Sequence, residues 1–396
     1  MESSFDSNAV VKINRSYFII ILLCFGALFI KNPKIYGIAI TDVSIVIGLL
    51  IAATYSFSSK IKVSNLLLLG LCVSFILYEG IGIFKVPDNM KFLLYYARVI
   101  KSFLVGFLGY LFFQRLSTDL QYKAIRFFFF LAIISILLDT VYSLYYYTTI
   151  GTDKSVWALY SALKVSFLYA DKNMVAFTIS LLMVLSNRFF NRRYMFFLWF
   201  LTIVSLSRSG ILVNTILLFY FMGFRLIKPS LLIALLITLI FSVILVYALD
   251  LSQMFMDRLS LNKDLSMQGR LGLQKMGIAM WLDAPLTGQG LSGFEQNFFD
   301  FYEGGEETPF PHNFYIYILS EQGLVGFMLL SAIFLIIWLK LFKKQLGMLI
   351  GAYLMFGMFL FNMSEYHFFF LVGLLLAFKP KPEPLENSLF PTISGQ

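Results

Sequence analysis

From Pro229 to Leu249 the chain runs through 21 residues without one charge, and runs of this kind recur along most of its length. Hydrocarbon offers the backbone no partners, so a spanning chain must close its own hydrogen bonds in helices or a sealed barrel. About 20 apolar residues in helical form cross a bilayer. Twelve such spans are expected, at 17–33, 35–57, 64–84, 92–113, 125–147, 168–187, 194–207, 210–226, 229–249, 313–339, 345–362 and 365–378. Composition agrees: 59% of residues are hydrophobic and 13% charged, where a soluble domain carries about twice that charged fraction. The expected fold class is an all-α polytopic membrane protein with one large outward loop.

A net charge of +9 invites a nucleic-acid partner, and its distribution argues against one. With the N-terminus inside, 17 of the 31 basic residues fall in inside loops, against 5 of the 22 acids. Every inside loop is basic, as the positive-inside rule requires. Both termini are therefore expected in the cytoplasm and the loop at 250–312, between spans nine and ten, outside. The division is a cytoplasmic segment at 1–16, a transmembrane domain at 17–378 and a Pro-rich, disordered cytoplasmic tail at 379–396. Cys24 and Cys72 sit in apolar runs and give neither a disulfide framework nor a zinc site. No small-x-small cleavage site follows the first apolar run, so no removable signal peptide is expected.

Long loops in compact membrane proteins usually carry function. In this one 266–281 is expected to be helical, 286–293 a turn, 294–302 a short helix and 303–311 an acidic lid. His312 is one of two histidines in the chain; it follows a proline, precedes Asn313 and stands where the loop meets a span. Imidazole can act as a base near neutral pH, so His312 is the leading catalytic candidate. Arg270, Trp281 and the turn glycines Gly288 and Gly290 lie in the same loop. Each has a plainer reading as a surface arginine, an interfacial ring or a turn residue.

Arg208 lies in a tight turn, Ser205-Leu-Ser-Arg-Ser-Gly210, where hydroxyls and an opening helix suit an anion. Arg98 and Lys101 share one face of a span. Either they bind a lipid-linked phosphate or pyrophosphate, or they snorkel to the outer headgroups. Asn173 is a helix cap or a substrate ligand, Glu321 a buried orienting charge, and His367 with Glu365 an interfacial pair. No Asp-rich metal motif, P-loop or Cys/His zinc spacing is present, so no metal or cofactor is expected.

In order, the chain reads Tyr169-Ala-Asp-Lys-Asn-Met-Val-Ala176, Ser207-Arg-Ser-Gly210, Gly269-Arg270, Trp281 and Pro285-Leu-Thr-Gly-Gln-Gly-Leu-Ser-Gly-Phe294. It then continues as His312-Asn-Phe-Tyr-Ile-Tyr-Ile-Leu-Ser-Glu-Gln-Gly323. This ordered set, over about 169–326, resembles the O-antigen polymerase and O-antigen ligase superfamily of bacterial membrane glycosyltransferases. The resemblance implies a GT-C-like architecture in the inner membrane, with the large loop and active site facing the periplasm. It implies metal-independent, inverting transfer from an undecaprenyl-pyrophosphate-linked glycan donor. The acceptor is a lipid-linked repeat unit for a polymerase, the first expectation, or lipid A–core for a ligase; a chain-length regulator is a further implied partner. By that resemblance Arg208, Arg270 and His312 are catalytic. Arg98, Lys101, Asn173, Trp281, Gly288, Gly290, Asn313 and Glu321 are expected to bind substrate. A lipid-linked glycan transporter is the alternative from another class. It requires charges on a path through the inner half of the membrane, where Asp139 alone stands apart from the outward cluster.

Overall fold

The computed structural model describes residues 18–19, 22, 25–26, 28, 34–35, 38–55, 63–149, 172–191, 193–205, 207–222, 265–301, 311–359 and 365–380. Among these the chain is helical except for one short antiparallel pairing, β1 (Lys34–Ile35) with β2 (Ile38–Ala39). The helices are α1 (Ile40–Tyr55), α2 (Val63–Ile81), α3 (Asn89–Arg115), α4 (Thr118–Thr149), α5 (Lys172–Phe189), α6 (Arg193–Val204) and α7 (Arg208–Met222). They continue as α8 (Leu265–Asp283), α9 (Gly293–Gln296), α10 (Phe298–Phe301), α11 (Phe314–Phe342), α12 (Met348–Gly357) and α13 (Tyr366–Ala377).

Four described stretches are long and apolar enough to cross a membrane: Asn65–Lys85, Asn89–Arg115, Thr118–Ser143 and Phe314–Phe342. The helices α6, α7, α12 and α13 are apolar but shorter, and the whole is a multi-pass membrane protein. The span expected at 229–249, both terminal segments, and loop residues 250–264 and 302–310 lie outside the described residues. The loop helix expected at 266–281 is α8, and the expected turn follows it.

One expected span needs correction. The run 313–339 is mostly apolar, yet α11 breaks at Gly323, whose φ of +63° and ψ of −168° are not helical. The Phe314 and Phe334 rings lie 6.4 Å apart, whereas 20 residues of straight helix would separate them by about 30 Å. The chain therefore doubles back: a first limb, 314–322, lies against a second limb, 324–342, and the second alone is long enough to cross.

A reversal inside a helix frees carbonyls on one side and amides on the other, and each needs a partner in an apolar setting. The turn after α8 supplies them. Gln289 and Gly290 N–H donate to the Ser320 and Glu321 carbonyls at 2.9 and 2.8 Å. Leu324 and Val325 N–H donate to the Pro285 and Leu286 carbonyls at 2.9 and 3.1 Å. Gly288 and Gly323 both have positive φ, and a Cβ on either would strike the backbone of the opposing strand. Turn and reversal thus form one interlocked unit. Lys85, just past α2, donates to the Thr287 and Gly288 carbonyls at 2.9 and 3.1 Å and holds the unit to the bundle.

Helices α3 and α13 run side by side in the same direction, with Gly106 and Gly109 facing Phe369, Phe370 and Gly373. Small residues let two helices approach closely where no solvent drives association. At one end of this pair Lys344 Nζ donates to the carbonyls of Leu375, Leu376 and Phe378 at 2.7–2.9 Å. A cation there closes the helix C-terminus. Lys340 donates to Asn65 Oδ1 at 2.8 Å nearby in the second limb of α11. Lys340 and Lys344 belong to the basic set that sequence places inside.

Candidate functional site

The opposite end of the bundle collects helix starts. Short helices α7 and α13 begin there, α12 finishes there, and α5 begins there. Asn313 caps α11: its Oδ1 accepts from the N–H groups of Tyr315 and Ile316 at 3.0 and 3.2 Å. His312, immediately before it, is half-buried and holds φ at +46°. Left-handed backbone is sparsely populated for a side chain other than Gly, and such residues cluster at functional sites.

The Phe314 ring packs edge-on against Tyr353 of α12 at 5.7 Å, and Tyr353 meets Phe177 of α5 at 6.0 Å. Phe177 lies about one turn along α5 from Asn173. Asn173 Oδ1 accepts from the Ser207 and Ser209 hydroxyls at 2.8 and 3.3 Å. Ser207 Oγ also accepts from Gly210 N–H at 3.0 Å, which caps α7. A Cβ on Gly210 would collide with Ala176, so glycine lets α7 lie tight on α5. Deeper in the same contact Asn214 receives the Ser180 hydroxyl and donates to Thr202 at 2.8 Å. This network fixes where Arg208, the exposed first residue of α7, emerges. Orphan N–H groups and the positive end of a helix dipole favour an anion beside it.

Arg270 lies on α8, which packs on the first limb of α11. Gly277 of α8 packs on Ile316 of the first limb, and the turn beyond α8 bonds to 320–325, so α8 and the limb run parallel. Arg270, half-buried, stands seven residues back from Gly277, about 10 Å toward the start of α8. Asn313 caps the first limb directly after His312, and Asn173 ties the start of α5 to the turn that bears Arg208.

Other candidates lie elsewhere. Glu321, nine residues along the limb from His312, is about 13 Å away by helix rise. It is 1% exposed, and its Oε1 accepts from Phe294 N–H at 3.2 Å. Gly288 and Gly290 are buried in the interlock beside it, and Trp281 Nε1 donates to the Pro285 carbonyl at 3.1 Å to close the turn. Lys101 pairs with Asp42 of α1 and lies 4.3 Å above the Tyr366 ring. Arg98 is exposed and stacks over Tyr95 at 4.9 Å.

Two polar groupings depart from the sequence reading, one in its partner and one in its burial. Asp139 of α4, fully buried, forms an ion pair of 2.5 Å with Lys172, the residue before Asn173. Ser143 Oγ accepts from the same ammonium at 3.0 Å. His367 and Glu365, expected at the membrane interface, are instead 2% and 4% exposed, because α13 starts beneath the aromatic cluster of Phe177 and Tyr353. Only the spacing of His and Glu ahead of an apolar run could have marked them.

Comparison with known proteins places the central part of this arrangement. The family model described as O-antigen ligase matches residues 193–331, about a third of the chain, from α6 through the reversal in α11. Over that stretch the resemblance to the O-antigen polymerase and ligase superfamily is borne out. No curated protein matches the chain. Arg208, Arg270, His312 and the interlocked turn fall within the matched residues, whereas Arg98, Asn173, Glu365 and His367 fall outside them.

Proposed function

We propose that this protein is a polymerase of bacterial surface polysaccharide. It transfers an undecaprenyl-pyrophosphate-linked glycan onto a lipid-linked repeat unit, at the periplasmic face of the inner membrane. The observation that carries the reading is that Arg208, Arg270 and His312 all fall within residues 193–331, the stretch that matches the family model. In the reaction the acceptor hydroxyl oxygen bonds to the anomeric carbon. The bond from that carbon to pyrophosphate breaks, and the leaving pyrophosphate takes the electron pair. Arg208 and Arg270 stabilise the charge that grows on it; preorganised cations are worth most where charge develops. His312 orients the hydroxyl and receives its proton. Pyrophosphate leaves readily, so held geometry contributes alongside the base.

The description of the family model favours a second reading, a ligase with lipid A–core as acceptor. Complementation separates the two. Polymerase-null and ligase-null hosts with the cognate repeat unit receive the gene, and the lipopolysaccharide ladder is read on a gel. Restoration in the polymerase-null host alone supports the first reading. Rescue of the ligase-null host alone transfers the assignment to the ligase, and rescue of neither removes both.

A further inference from the structure

Outside the matched residues a second histidine stands under the candidate site. His367, at the second position of α13, approaches Thr178 Oγ1 of α5 with Nε2 at 3.2 Å. The Thr178 hydroxyl already donates its proton to the Met174 carbonyl at 2.9 Å, so the contact requires a proton on Nε2. On the other side Nδ1 lies 3.3 Å from Glu365 Oε2. That approach has ion-pair distance without hydrogen-bond alignment, and a carboxylate beside a buried ring nitrogen favours its protonated form. The Thr178 contact and the neighbouring carboxylate together favour a ring protonated at both nitrogens.

This pair is placed to transmit position. Its ring packs on Phe177 at 5.7 Å, and Phe177 and Tyr353 connect it to Phe314, two residues past His312. Tyr366, between Glu365 and His367, carries the ammonium of Lys101 over its face. Thr178 is five residues along α5 from Asn173, about 7.5 Å by helix rise. The first turn of α13 thus holds α5, α3 and the start of α11 in one register.

We propose that His367 and Glu365 are positioning residues of the transfer site, a buried imidazolium–carboxylate pair that sets Asn173 and its helix against the helix start at His312. The functional half of this proposal rests on the transfer reading above; the protonation half does not.

Because the chain has two histidines, His312→Asn leaves one imidazole to observe. Histidine labelled with nitrogen-15 in that variant, in lipid, should show both ring nitrogens protonated. Adding Glu365→Gln should leave one protonated and one bare. A bare nitrogen with Glu365 intact overturns the pair. The functional arm compares chain transfer at matched membrane abundance. His367→Gln and Asn173→Ala should each lose tenfold or more, and the double variant should be no worse than the weaker single. Losses that multiply would show that His367 does not act through the Asn173 helix. A wild type that transfers nothing sinks the transfer reading and with it the positioning role, while the nitrogen spectrum still decides the pair.

Discussion

Arg270 and Asp139 are both charged residues among apolar helices, and substitution should separate their roles. Arg270 is half-buried on α8 and is proposed to stabilise the leaving group. Arg270→Ala should lower transfer on the order of a hundredfold, the scale for removing one preorganised stabiliser, while membrane abundance holds. Equal loss of both would make it a structural arginine. Asp139 is fully buried against Lys172. Removing one partner strands a buried charge, so Asp139→Ala should cost about 3–5 kcal/mol of stability, read as a lower unfolding midpoint in detergent. Asp139→Leu with Lys172→Met should recover most of that loss. Failure of the double variant to recover would mean that the ion pair itself, and not the stranded charge, matters. Asn313 gives a milder case: with Oδ1 on two helix amides, Asn313→Ala should cost about 1 kcal/mol and Asn313→Asp should restore it, both read from the same midpoint.

Among the elements, the interlocked turn and reversal are the arrangement least open to compromise. Gly323→Ala and Gly288→Ala each impose positive φ on a side chain, about 1–3 kcal/mol, and drive a Cβ into backbone that is already hydrogen-bonded. Each should sharply reduce folded protein on size exclusion of a fluorescent fusion. Leu286→Ala keeps the same backbone bonds and removes a side chain that is 62% exposed, so it should leave the profile unchanged. A normal profile for Gly323→Ala would mean that the reversal is dispensable. Sequence shows why this unit was half legible. The turn glycines and the helix before them announce themselves by residue type and periodicity. The reversal does not, because Ser320-Glu321-Gln322-Gly323 is a short polar interruption between apolar runs that a continuous span could also carry. Its partner backbone is some 35 residues earlier, and backbone bonds between distant segments leave no side-chain pattern. Asn173 with Ser207 was legible as two separate helix starts for the same reason, and its contact only appears once α7 lies on α5.

For the whole molecule the positive-inside rule turns the lysines at one end of the bundle into a testable expectation of which way the proposed site faces. Lys340 and Lys344 seal helix ends and neighbouring polar groups at one end. The interlocked turn and α2–α3 junction rise at the other, where Phe84 is 88% exposed. A positive-inside arrangement puts the lysine end in the cytoplasm. Cysteine substitutions test this directly once Cys24 and Cys72 are replaced by Ser. Phe84→Cys should react in intact spheroplasts with a thiol reagent that cannot cross the membrane. Gln345→Cys, exposed between α11 and α12, should react only after permeabilisation. The reversed pattern would turn His312, Arg208 and Arg270 toward the cytoplasm. Nucleotide-activated sugars would then be available as donors, and a donor linked to pyrophosphate through a lipid would lose its rationale. The expected pattern would instead put the proposed site where soluble nucleotide donors are absent, so that a lipid would have to carry both the glycan and the leaving group that Arg208 and Arg270 are proposed to stabilise.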